Sequence, residues 1–161
     1  MAGKKKKSWQ EKLLDDKDLP QIVPVEGKMA KRFGTGTILI PAPRMVDAVM
    51  KKVRKGRLIT INEIRAYLAH QAGADFGCPI TTGIFAWIAA HAAAEALAEG
   101  KKRITPYWRT LKADGEVNPK YPGGTEAIAE RLRDEGHTII QKGRRLLVQD
   151  YAHALMNLMP G

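Results

Sequence analysis

Cysteine is nearly missing from this chain: Cys78 stands alone among 161 residues. An internal disulfide is therefore excluded, as is a cysteine-rich zinc site within one chain, and a lone thiol suits a reducing compartment. No two of the four histidines fall at a metal-ligand spacing, so neither a metal nor another cofactor is expected. Long apolar runs are scarce too. The least polar stretch, 80–94, is interrupted by His91 and by Thr and Gly, and composition therefore implies no membrane span. After Lys4–Lys7 the chain runs into Trp9, Gln10, Glu11 and Lys12 instead of an apolar segment, so no secretory signal is read and a cytoplasmic location is expected.

Acidic residues fall short in the first third. Residues 1–57 hold 15 Lys and Arg against 6 Asp and Glu, a net +9, whereas residues 58–161 hold 12 against 11, a net +1. A basic segment ahead of a near-neutral domain suits a polyanion such as nucleic acid, because each neutralised phosphate releases counterions. A solvated, solubilising face accounts for the same numbers. Length and a 44% hydrophobic content fit one soluble domain with a basic extension. The expected division is a basic tail and extended arm over 1–43 and a folded domain over 44–161.

Within 8–43 the punctuation by Pro20, Pro24, Gly27, Gly34, Gly36, Pro41 and Pro43 predicts a mostly extended arm, with a turn of helix at Trp9–Leu14. Met45, Val46, Val49, Met50 and Val53 then recur at helical spacing, predicting a first domain helix that ends near Gly56. Thr60 followed by Glu63 reads as a capping box opening a second helix over 61–72. Thr81 or Thr82 is expected to cap a third, carrying Ile84, Phe85, Trp87, Ile88, Ala92 and Leu97. Residues 125–135 read as a short amphipathic helix, and 137–141 with 144–149 as a β-hairpin around Lys142-Gly143. The predicted class is α+β, mainly helical: a winged helix-turn-helix domain with an N-terminal arm and a C-terminal hairpin.

The run Thr105-Pro106-Tyr107-Trp108-Arg109-Thr110, followed by Gly115, Gly123-Gly124, Leu132 and Glu135-Gly136, resembles the DNA-binding domain of the alkylguanine-DNA alkyltransferase family. Upstream, Gly56-Arg57-Leu58-Ile59-Thr60-Ile61-Asn62-Glu63-Ile64 is similar to that family's glycine, apolar and Glu-Ile stretch, and the likeness covers roughly residues 44–137. The family's acceptor cysteine falls at Tyr107 and its activating histidine at Trp108; only Pro106 and Arg109 are retained. A phenol with an ordinary pKa near 10 and no adjacent base is a poor substitute for a thiolate, so alkyl transfer is excluded at this position. The chain resembles the alkyltransferase-like subgroup, which binds alkylated DNA without repairing it, yet departs from that subgroup at Trp108, where a histidine is usual. The family's base-flipping tyrosine aligns with Ile61 and its gap-filling arginine near Gly83, and neither replacement can do that work.

These matches nominate two sets of residues. Pro106, Tyr107, Trp108 and Arg109 would form a base-binding pocket; alternatively Tyr107 and Trp108 fill a former cavity while Arg109 holds the loop together. Double-stranded DNA would be met by the small residues Thr81, Thr82, Gly83 and Ala86 of the third helix. Phosphates would be met by Lys51, Lys52, Arg54, Lys55, Arg57, Arg109, Lys142, Arg144 and Arg145. The competing reading buries the third helix outright, because it carries no basic residue between Cys78 and Gly100. Three functions follow: a non-enzymatic DNA-binding protein, nucleoid-associated if so; a protein-interaction module or homodimer on the same scaffold; and, last, an enzyme using Cys78.

Overall fold

The computed structural model describes residues 6–158, so Lys4 and Lys5 of the basic run lie outside the described residues. In order, the elements are α1 (Trp9–Leu14), β1 (Gln21–Pro24), α2 (Gly27–Phe33), β2 (Thr37–Ile40), α3 (Pro43–Met50), β3 (Ile59–Thr60), α4 (Ile61–Ala72), β4 (Phe76–Gly77), α5 (Pro79–Ala98), β5 (Thr110–Leu111), α6 (Gly124–Asp134), β6 (Ile139–Lys142), β7 (Arg145–Val148) and α7 (Tyr151–Ala154). This is a mixed α+β chain with small sheets.

The N-terminal segment is the first correction. The helical turn expected at Trp9–Leu14 is α1, but the rest, instead of an extended arm, adds α2 and two strands, and its prolines and glycines fall mainly at element ends. Ser8 accepts from the Glu11 N–H at 3.1 Å while Glu11 accepts from the Ser8 N–H at 3.3 Å, a reciprocal cap for α1. Gly34, at φ +85°, closes α2 in a conformation that costs glycine nothing. β1 pairs antiparallel with β2, and β2 runs parallel to β4 with Ile38 opposite Phe76. The connection between α4 and α5 therefore contains a short strand pinned from the N-terminal side.

Other boundaries follow local chemistry. The Glu63 carboxylate accepts from both the Thr60 N–H, at 2.8 Å, and the Thr60 hydroxyl, at 2.7 Å. The carboxylate half of the expected box is thus made, and the hydroxyl turns to the same oxygen. α3 stops at Met50, short of Gly56, and Val53 drops into the core in the turn that follows. α5 begins at Pro79, two residues before the expected caps, since proline's fixed φ and missing N–H suit a first helical position. In the hairpin Lys142 faces Arg145, so the turn residues are Gly143-Arg144, one position later than expected.

α5 is the hub, packed against α1, α3 and α4. By length and composition alone it could cross a membrane. Here Ala86, Ala89, Ala90 and Ala93 bury against Val46, Met50, Ile64 and Leu68 in one core. Alanine lets neighbouring backbones approach closely, and at about 25 cal/mol per Å² the larger partners supply most of the gain. β3 and β5 pair in parallel, tying the start of α4 to the loop that carries Tyr107–Arg109.

Candidate nucleic-acid interface

Loop 105–109 is held from three sides. The Thr105 hydroxyl donates to the buried Asp47 carboxylate at 2.6 Å. Tyr107, Trp108 and Arg109 make a single 3-10 turn. The Trp108 indole N–H donates to Glu135 at 3.0 Å, and Arg109 reaches the same carboxylate through Nε at 2.9 Å and Nη2 at 2.7 Å. Its third nitrogen, Nη1, donates to the Val53 carbonyl at 2.7 Å. Burial alone would push the Glu135 carboxyl up; hydrogen bonds from Arg109 and Trp108 and the Arg109 charge outweigh it, leaving the group below the ordinary carboxylate range.

The expected base-binding pocket is corrected by this packing. Pro106 is buried, Tyr107 is 6% exposed and Trp108 9%. The Tyr107 ring meets Trp108 and Tyr121 edge-on, and the Arg131 guanidinium covers the Trp108 ring at 4.3 Å. Of the two readings of these residues, the geometry is that of a filled cavity, with Arg109 as the clasp. A shallow depression between Lys55, Trp108, Arg131, Asp134 and Glu135 marks the surface there.

The open concavity lies one helix away. A groove of about 590 Å³ is lined by Ile80, Gly83, Ile84 and Trp87 of α5 on one wall and by Lys112, Asn118, Pro119 and Lys120 on the other. Ile80 is 64% exposed and Ile84 47%, unusual for isoleucine in such numbers on one face. Farther along the same stripe α1 closes over the helix: Trp9 stacks on His91 at 4.5 Å and meets Trp87 edge-on at 4.8 Å, while Glu95 accepts from the backbone N–H groups of Trp9 and Gln10. The His91 ring nitrogen also lies 3.2 Å from the Lys120 carbonyl, fixing the second wall against the helix.

Of the small residues nominated on α5, Gly83 lines the groove and Thr81 is half-buried, but Thr82 and Ala86 are fully buried. A direct DNA contact through those two is ruled out, because helical periodicity turns them to the core. The basic residues divide likewise. Arg54, Lys55 and Arg57 are exposed and have no side-chain ion pair among the described residues, as is true of Lys142 and, in the hairpin turn, Arg144. Lys51 pairs with Asp47 at 3.1 Å, and Lys52 donates to the Tyr67 hydroxyl at 3.0 Å. Arg145 is held by Asp114 and, at 3.0 Å, by Glu116. Those three are spent on the protein itself. Cys78 is buried at the N-cap of α5, and among the described residues no group of three His, Cys, Asp or Glu could hold a metal.

Sequence reasoning missed Ile80, Ile84, Trp87, Lys112, Asn118, Pro119 and Lys120. The spacing of Ile80, Ile84 and Trp87 was a usable signal: an apolar stripe on a helix already apolar on its alanine side must either be covered or offer a surface.

No family model matches this chain, and no curated protein matches it in sequence. Among solved structures, S. pombe Atl1 in complex with damaged DNA containing O6-carboxymethylguanine is similar, with 16% sequence identity and a TM-score of 0.48; the match covers 71% of this chain and 94% of that one.

Proposed function

We propose that this chain is a non-enzymatic DNA-binding protein of the alkyltransferase-like kind, with α4 and α5 as a helix-turn-helix and β6–β7 as its wing. The observation that carries the reading is the groove: an exposed face of α5, bare of acidic side chains at Ile80, Gly83, Ile84 and Trp87, faced by the exposed Lys120 and by Lys112, which also pairs with Glu116 at 3.5 Å. An apolar, lysine-rimmed surface lets a helix approach a duplex closely while cations nearby neutralise phosphates. The unpaired Arg54, Lys55, Arg57, Lys142 and Arg144 supply further phosphate contacts. Alkyl transfer has no nucleophile at Tyr107 and no base at Trp108, so retention of a modified base, without its repair, is the proposed outcome.

The test is a duplex titration at two salt concentrations, with a plain duplex beside one carrying a single alkylated guanine. Binding that weakens steeply with salt is expected, because several phosphates must be neutralised. Tighter binding of the modified duplex would establish lesion preference, and no interaction with either removes the reading.

The exposure of Ile80 and Ile84 also favours a second reading, in which this face grips a protein or a second copy of the chain. A mass that rises with concentration in the absence of DNA, and falls to the monomer in Ile84→Glu, would select it.

A further inference from the structure

Two arginines share one phenylalanine on the side of the molecule built by the N-terminal segment. The Arg32 guanidinium lies 5.0 Å from the centre of the Phe33 ring and that of Arg65, from α4, lies 5.8 Å from it. Phe33 leans in turn on Phe76 of β4 at 5.2 Å. Arg65 is half-buried and anchored: Nε donates to the Asn62 side chain at 3.0 Å and Nη1 to the Gly77 carbonyl at 3.3 Å, while Nη2 has no partner among the described residues. Arg32 is exposed, and among the described residues it makes no side-chain hydrogen bond or ion pair. Burial, and after it the neighbouring Arg32 charge, depress the Arg65 pKa from its ordinary value, although a guanidinium keeps its proton in proteins.

Gly77 shows how tightly this arrangement is drawn. A β-carbon there would collide with the backbone carbonyl of Arg65, so only glycine lets β4 pass the helix at the point where the guanidinium is fixed. Beside it lies a concavity of about 310 Å³ with Arg65, His70, Phe76 and Asp75 on its walls. The Asp75 carboxylate accepts from the Thr37 N–H at 2.9 Å and the Thr37 hydroxyl at 3.2 Å and pairs with neither arginine. Two like charges thus flank one ring, and among the described residues no carboxylate pairs with either.

We propose that Arg32 and Arg65, gathered around Phe33, clamp a phosphate group, either of a nucleic-acid backbone or of a free phosphate anion, at a site separate from the α5 groove. A tetrahedral phosphate presents oxygens in several directions and can take a fork from Arg32 together with a single N–H from Arg65, whereas a planar carboxylate is filled by one fork. Its use on a duplex rests on the DNA-binding reading; the anion site itself does not.

The test follows the Nε–H resonances of Arg32 and Arg65 in the full chain as inorganic phosphate, then a short DNA duplex, is added. Saturable shifts of both signals with inorganic phosphate, abolished for Arg65 in Arg32→Gln, are expected; Arg32 is exposed and its contact is with the Phe33 ring alone, so this variant gives up one surface contact and keeps the fold. With duplex, the same shifts and a log–log salt slope lowered by about 1 in Arg32→Gln would identify the backbone as the source. Shifts with inorganic phosphate alone would identify a free anion. Should the duplex bind, with Ile84→Glu weakening it, while neither probe moves the two arginines, the clamp is overturned and the groove reading stands. Should the duplex fail to bind while phosphate shifts both signals, the reverse holds.

Discussion

Loop 106–109 and the outer face of α5 are near neighbours with opposite economies. In the loop the Trp108 N–H and the three Arg109 nitrogens all have protein acceptors, and the rings of Tyr107 and Trp108 are enclosed. On α5, Ile80 and Ile84 lie open and Gly83 carries no side chain at all. The two regions touch through Tyr107 and Tyr121, whose neighbour Lys120 forms the far wall of the groove. At the point where the resemblance places reactive chemistry, this chain has invested in packing, and the surface a ligand can reach has moved one helix away.

That contrast can be broken first at Glu135. Its side chain is 9% exposed and that of Arg109 14%, so Glu135→Ala strands a buried guanidinium and the Trp108 N–H together. Removing one partner of a buried pair costs about 3–5 kcal/mol, which for a chain of this length lowers the melting temperature by roughly 10 °C; a calorimetric scan checks it. A change under about 1 kcal/mol would show that the loop does not depend on this clasp. The same pair predicts a pH dependence. Glu135 is held below the ordinary carboxylate value, so its stabilisation is fully present above about pH 4.3, the unfolded value, and is lost as pH falls through the lower folded one. Denaturation midpoints measured downward from neutral pH should fall more steeply in the wild type than in Glu135→Gln.

The next effect is smaller and falls on the other region. Ile84→Glu places a negative charge on a half-exposed position in the groove; we expect duplex affinity to drop at least tenfold, about 1.4 kcal/mol, with stability within about 0.5 kcal/mol of wild type. Unchanged affinity would mean that DNA, if bound, uses another face. Smallest is the effect of Arg54→Gln with Arg57→Gln. Both side chains are exposed and unpaired, so each should lower the log–log salt slope by about 0.9 with no loss of fold, read from titrations across a salt series.

Several elements were legible in the residues because their signals are local. Thr60 with Glu63 marked the start of α4 and Gly73 its end, and Gly143 announced the hairpin to within one residue. The N-terminal segment was misread because its prolines and glycines look alike whether they interrupt structure or bracket it: Gly27 and Gly34 flank α2, and Pro24 ends β1. Nothing within residues 8–43 announces that β2 will find β4, since a parallel pairing across 38 residues is settled by what both strands bury. The candidate site fared similarly. Arg109 was recognised as a clasp in one of two readings, but its partner Glu135 lies 26 residues away.

From the order of residues alone came the charge imbalance of +9 against +1 and the helix over 61–72. Those follow from side-chain chemistry and short-range hydrogen bonds, which travel with the chain wherever it folds. Which flank of α5 stays open was decided only in three dimensions. A helix apolar on every side carries no preference of its own, so the docking of α1, α3 and α4 chooses its exposed stripe. The pairing of Arg32 with Arg65 around Phe33 has the same origin: two exposed-looking cations become a site only when β2 and β4 bring their helices together.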